Sequence, residues 1–127
     1  MKRLKQASIA FFTIFSAVAH ADYAGEWDQA TALKKMQEGK VLVVDVRSAG
    51  EFAEGHVPGA INIPHNELAK HMSRLAGYEN KEVLIYCRSG RRAGVAESEL
   101  SDKGFTQLYH LKGDMLGWQK TGQKIAK

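Results

Sequence analysis

The stretch Val83-Leu84-Ile85-Tyr86-Cys87-Arg88-Ser89-Gly90-Arg91-Arg92-Ala93-Gly94 decides the fold. Its first half is a continuous apolar run, the pattern of a strand buried on both faces. From Arg91 the pattern changes. Ala93, Ala96 and Leu100 recur at helical spacing, and Gly104 supplies a stop. Between the two lies a tight turn with Gly90 free to take an unusual backbone angle. Strand, turn and helix make up half of a βαβ unit. The β-branched run Val41 to Val46 reads as a second buried strand. Strands of this kind, alternating with helices, predict an α/β fold: a three-layer α/β/α domain with a central, mainly parallel sheet. In such sheets ligand sites form at the carboxyl ends of the strands, and Cys87 lies at one.

Working outward, Asp28 to Glu38 reads as a helix with Ala30, Leu33 and Met36 on one side and Gly39 as its stop. Glu51 to Glu54 is a single helical turn, and Ala60 to Ile63 a short strand closed by Pro64. Asn66 is placed to cap a helix carrying Leu68, Met72 and Leu75. The strand around Val83 is expected over Glu82–Cys87 and the next helix over Arg91–Lys103. A strand from Gln107 to Leu111 and a helix from Met115 to Lys120 complete the series. There is no internal repeat, low-complexity tract or linker.

The first residues differ from the rest. Met1, Lys2, Arg3 and Lys5 form a basic head, Ile9 to Ala19 is almost wholly apolar, and Ala19-His20-Ala21 follows. Together these describe a secretory signal peptide over residues 1–21, with cleavage expected between Ala21 and Asp22. The apolar run is short for a bilayer span, which needs roughly 20 residues. The expected location is therefore the periplasm, with no stable membrane anchor after cleavage. The mature chain, 22–127, is expected to be one domain.

The charge balance changes with cleavage. Of 18 Lys and Arg, three lie in residues 1–21, and none of the 14 Asp and Glu does. Fifteen basic against 14 acidic residues leaves +1. Such a balance gives no reason to expect a nucleic-acid partner.

One cysteine is present, Cys87. It cannot form an intramolecular disulfide, so it is either a small buried hydrophobe or a working nucleophile. Its surroundings favour the second. Successive amides of a tight turn can form an anion-binding nest, and the following helix points its positive end at the same place. Arg88, Arg91 and Arg92 add three positive charges. Each effect favours thiolate over thiol and attracts an anionic substrate. Arg88 and Arg92 are the first choices for site roles, while Arg91 could equally face water.

The turn Cys87-Arg88-Ser89-Gly90-Arg91-Arg92 resembles the active-site loop of the rhodanese superfamily, C-x-x-G-x-R. Asp45-Val46-Arg47 with Glu51-Phe52 resembles its D-V-R…E-F motif. The stretch Gly55-His56-Val57-Pro58-Gly59-Ala60-Ile61-Asn62-Ile63-Pro64 resembles its G-H-[IV]-P-G-A-x-[NH]-[IV]-P signature. Gly113-Asp114-Met115-Leu116-Gly117-Trp118 is similar to G-G-x-x-x-W, with Asp114 in place of the second glycine. The motifs run in order from about Trp27 to Trp118.

The resemblance implies a sulfurtransferase. Thiosulfate would donate its outer sulfur to Cys87, forming a persulfide, and a thiol or cyanide would accept it. Arg88, Ser89, Gly90, Arg91, Arg92 and Arg47 would bind the anionic donor. No metal and no organic cofactor is implied. His56, His65, His71 and His110 are too scattered for a helical metal-ligand pair.

Other residues have structural readings. Asp45 is expected to tie Arg47 or a neighbouring loop, and Arg47 either borders the site or forms a scaffold ion pair. His56 is expected to brace the loop from Val57, and Trp27 and Trp118 to be core and lid. Lys70, His71 and Arg74 read as a solvated face.

Three other functions compete with this one. A persulfide carrier relaying sulfur between proteins would use the same cysteine. A cysteine phosphatase needs five residues between Cys and Arg, whereas four separate Cys87 from Arg92. An inert binding module would have no use for the basic loop around Cys87.

Overall fold

The computed structural model describes residues 23–127. The expected leader, residues 1–21, and its junction at Asp22 lie outside the described residues. Among those described, no helix is long and apolar enough to cross a membrane.

Among the described residues five strands form one sheet: β1 (Gly25–Trp27), β2 (Leu42–Asp45), β3 (Ile61–Asn62), β4 (Val83–Tyr86) and β5 (Leu108–Leu111). Their spatial order is β1-β5-β4-β2-β3, and every pairing is parallel. The two apolar runs read as buried strands lie side by side at the centre, with Val44 opposite Ile85 and Asp45 opposite Tyr86. Alternation along β4 feeds two cores. Val83, Ile85 and Cys87 pack on one face with Ala93, Ala96 and Leu100 of the helix α3 (Arg91–Asp102). Leu84 and Tyr86 pack on the other, with Ala32 of α1 (Gln29–Gln37) and Met115 and Trp118 of α4 (Asp114–Lys120). The three-layer α/β/α expectation is met.

Local chemistry sets the element ends. Asp28 caps α1 by accepting from the Thr31 amide at 2.8 Å. The short helix α2 spans Ala49–Glu54, two residues longer than expected, because Ser48 and Glu51 close a reciprocal capping box around its first turn. β3 is shorter than expected, pairing only at Ile61 and Asn62.

The segment expected as a helix capped by Asn66 is different. It is a 3₁₀ segment, His65–Leu75, with Pro64 at its start, no side-chain cap and a kink at His71. Leu68 and Leu75 are buried and Met72 only half so. The tighter winding matches this narrow apolar contact. Its solvated face is also partly engaged, since Arg74 donates to the Asn62 carbonyl at 2.9 Å. The edge strand β1 was not anticipated. Three residues are too few to show a two-residue period.

Trp27 and Trp118 both lie in the second core, with Trp118 Nε1 donating to the Lys124 carbonyl at 2.9 Å. Neither is a lid. His56 stacks on Phe52, 3.6 Å between ring centroids, and its Nδ1 is 2.8 Å from the Phe52 carbonyl, which holds the turn entering Val57.

Candidate active site

The parallel sheet delivers Cys87 at the carboxyl end of its central strand β4. Cys87 is buried and forms no disulfide. Immediately after it, Arg88, Ser89 and Gly90 turn the chain back into α3. Gly90 has φ 116°, a left-handed value that glycine takes without strain. In this conformation the Gly90 N–H donates to Cys87 Sγ at 3.0 Å. A backbone amide at the start of a helix therefore addresses the sulfur, an arrangement that stabilises negative charge there.

The loop is clamped from its far side by the start of α4. Asp114 Oδ1 accepts the Cys87 N–H at 3.0 Å, and the Met115 N–H donates to the Cys87 carbonyl at 3.0 Å. The Leu116 N–H reaches the Arg88 carbonyl at 3.2 Å. Asp114 is itself unusual, with φ 54°, the one non-glycine residue in the left-handed region among those described. That conformation costs roughly 1–2 kcal/mol, least for Asp and Asn. The Cys87 amide and His110 Nε2, both 3.0 Å from Asp114 Oδ1, repay the cost.

The arginines divide into distinct roles. Arg88 and Arg91 are exposed. Arg88 lines a cavity of about 170 Å³ with Arg47, Glu51, Glu54, Met115 and Leu116. Arg92 is half-buried, and its fork is taken by Glu51, Nη1 to Oε1 at 2.7 Å and Nη2 to Oε2 at 3.0 Å. The Glu51 hydrogen bonds raise the Arg92 pKa against burial, and Cys87 adds to the shift. The same pair holds the Glu51 carboxyl down to about 2.

Arg47 is committed to the scaffold. Its Nε and Nη2 grip Asp45 at 2.7–3.1 Å, and Nη2 also donates to the Gly55 carbonyl at 2.7 Å. Asn62 bridges the Asp45 and Arg47 carbonyls at 3.0 Å each. Of the two roles left open for Arg47, the geometry supplies the ion pair and also places the residue at the cavity wall.

Three partners of the loop were missed in the sequence. Glu51 was visible only as part of a motif, Asp114 only as a departure from one, and His110 only as a stray histidine. No local spacing signals that Glu51 pairs with Arg92, or that His110 and Asp114 meet beside the cysteine loop.

A larger cavity of about 480 Å³, lined by Gly39, Lys40, Val41, Tyr78 and Lys81, opens at the other end of the strands. It is remote from the one cysteine, so size does not identify the site here.

Residues 28–121 match the rhodanese-like domain family. A sulfurtransferase of Allochromatium vinosum is 34% identical over 85 residues, covering 67% of this chain and 78% of that protein. A putative sulfur carrier protein of Bacillus subtilis, YrkF, is 34% identical over 76 residues, covering 60% of this chain and 40% of its own length. The chain thus spans only part of some relatives; for YqhL of Bacillus subtilis, 38% identical over 68% of this chain, the share is 64%. Among solved structures, a rhodanese-related protein of Thermoplasma volcanium superposes with a TM-score of 0.69 at 25% identity, covering 80% of this chain and 96% of that one. With the matched region spanning most of the sequence, the chain belongs to the rhodanese-like domain family, and its relatives support a role in sulfur transfer.

Proposed function

We propose that this protein is a thiosulfate sulfurtransferase working through a persulfide on Cys87. The observation that carries the reading is the Gly90 N–H held 3.0 Å from Cys87 Sγ at the start of α3. A hydrogen bond aimed at sulfur favours the thiolate, which is the nucleophile.

In the first half-reaction Sγ attacks the outer sulfur of thiosulfate. The bond between that sulfur and the sulfonate sulfur breaks, and its electron pair departs with sulfite. Cys87 then carries a persulfide anion. In the second half-reaction a thiolate or cyanide attacks the terminal sulfur, and the Cys87 thiolate leaves. No net oxidant or reductant is required. Arg88, exposed at the mouth of the small cavity, favours approach of the dianion. Arg92 contributes charge from behind the Glu51 pair.

A carrier that takes sulfur from a partner's persulfide would use the same atoms. The likeness to a putative sulfur carrier keeps that reading in play. Purified, fully reduced protein mixed with thiosulfate alone separates the two. The enzyme gains one sulfur atom and releases sulfite, whereas a carrier gains none until a persulfide donor is added.

We also propose export to the periplasm, on the basic head, apolar run and Ala19-His20-Ala21 exit. N-terminal sequencing of protein from the periplasmic fraction should begin at Asp22. A soluble cytoplasmic protein beginning at Met1 contradicts it.

A further inference from the structure

Beside the Cys87 loop lies a cluster that the sulfur-transfer steps above do not use. His110, on β5, sits between two carboxylates. Its Nδ1 is 3.0 Å from Glu26 Oε2, and its Nε2 is 3.0 Å from both Oδ1 and Oδ2 of Asp114. A neutral imidazole has a single N–H and can donate to one of these groups only. A ring meeting a carboxylate at each nitrogen is satisfied as the imidazolium. The His110 pKa is accordingly raised, by the Asp114 hydrogen bond first, against burial.

The cluster is joined to the sulfur loop at two points. Asp114 Oδ1 accepts the Cys87 N–H at 3.0 Å. A methyl group added at Gly90, whose N–H addresses Sγ, would lie 3.3 Å from Asp114 Oδ2 and 3.8 Å from His110 Nε2. Loop, carboxylate and imidazole are therefore in contact. Asp114 holds this place in a left-handed conformation, where the family resemblance has glycine. A strained backbone kept for a side chain with one buried and one half-buried partner points to a role for that side chain.

A tyrosine also faces His110. Tyr23 stacks on the ring with centroids 5.2 Å apart. Burial raises the Tyr23 pKa far above its ordinary value, with Glu97 of α3, Asp114, Cys87 and Glu26 adding, so it stays neutral. None of Tyr23, Glu26, Asp114, Glu97 and Cys87 can be cationic. Among the described residues, His110 is the side chain hydrogen-bonded to Asp114 that can carry positive charge.

We propose that Asp114 is a positioning residue for the Cys87 loop, held in place by the His110 imidazolium, so that Cys87 reactivity falls when His110 loses its proton. The inference rests on Cys87 being the reactive group. Loss of the proton leaves a ring lone pair facing a carboxylate. The Asp114 charge beside Cys87 is then uncompensated, and its hold on the Cys87 N–H loosens. Because the histidine pKa is raised, the contribution is complete below its ordinary value near 6.5 and is lost as pH rises through the raised value. An ordinary thiol behaves in the opposite way, gaining reactivity with pH.

The test follows two signals in wild-type protein between about pH 5 and pH 9: His110 ring resonances by NMR, and the rate of Cys87 alkylation by iodoacetamide. The alkylation profile is expected to break downward at the pH where His110 titrates. Asp114→Asn keeps an oxygen for the Cys87 N–H and tolerates the left-handed backbone, but removes the charge. It should move the His110 midpoint and the break together to lower pH. Asp114→Gly removes the acceptor and should slow alkylation roughly tenfold at every pH, with no break. His110→Gln should also remove the break.

Alkylation does not depend on sulfur transfer. A break without thiosulfate uptake supports the relay and counts against the proposed reaction. The relay is overturned if wild-type His110 titrates without a break in the alkylation rate. It is equally overturned if Asp114→Asn shifts the histidine but not the break, or if the variants lose thermal stability while the break stays in place.

Discussion

Arg92 and Glu51 lie 41 residues apart in the chain yet share a two-pronged ion pair, with contacts of 2.7 and 3.0 Å. The pair ties the first turn of α3, just beyond the cysteine loop, to α2. Glu51 also completes the capping box of α2 with Ser48. One carboxylate therefore orients the arginine that follows the cysteine loop and sets the start of a second helix.

Replacing it should be felt in both places. Glu51→Gln is expected to lower stability by about 1 kcal/mol, because the pair is partly exposed and screened. Its pH signature is more specific. The Glu51 pKa is depressed to about 2 from 4.5. Its contribution is therefore complete above the ordinary value and lost as pH falls through about 2. Urea unfolding midpoints should fall less steeply with acid in Glu51→Gln than in wild type. Identical acid slopes would show that the pair contributes nothing.

Asp45 and Arg47 form the buried counterpart of that pair, with side-chain exposures of 0% and 6%. Arg47→Met leaves Asp45 buried without its partner. The expected loss is about 3–5 kcal/mol, read as a lowered urea midpoint at neutral pH. Arg47→Lys should recover only part of it, because an ammonium cannot reproduce the fork onto Asp45 and Gly55.

Gly90→Ala tests the loop geometry. The backbone there has φ 116°, and an added methyl would meet Asp114 at 3.3 Å. The variant should lose more than about 1 kcal/mol and react with thiosulfate more slowly than that loss alone explains. A variant equal to wild type in both would mean that the turn does not depend on glycine at this position.

These residues also show how far the sequence could be read. The buried runs around Val44 and Ile85 announce a parallel sheet, because a strand covered on both faces has no polar face to alternate. Cys87 and Gly90 announce a reactive turn, since their chemistry is local to six residues. Glu51, His110 and Asp114 are different. They reach the loop from three separate elements, and their contacts follow from the β1-β5-β4-β2-β3 order, which no local spacing encodes. The 3₁₀ segment escapes the sequence for a related reason. Leu68, Met72 and Leu75 are compatible with either helix, and packing against the sheet decides between them.

Arg88 is the exposed arginine of the cavity beside the loop. Arg88→Ala should raise the thiosulfate concentration needed for half-maximal sulfur uptake by severalfold and weaken its dependence on salt. The persulfide should still form at saturating donor, because the Gly90 amide remains. Loss of all uptake at saturation would give Arg88 a role in the chemical step itself.

The most direct measurement is the intact mass of fully reduced protein after incubation with thiosulfate alone. The mass should rise by one sulfur atom, located on Cys87, with sulfite released in equal amount. Cyanide should then remove that sulfur and restore the original mass, and Cys87→Ser should show no gain while retaining the fold. Wild-type protein that gains no sulfur from thiosulfate, yet hydrolyses an aryl phosphate or takes sulfur only from another protein's persulfide, would contradict it.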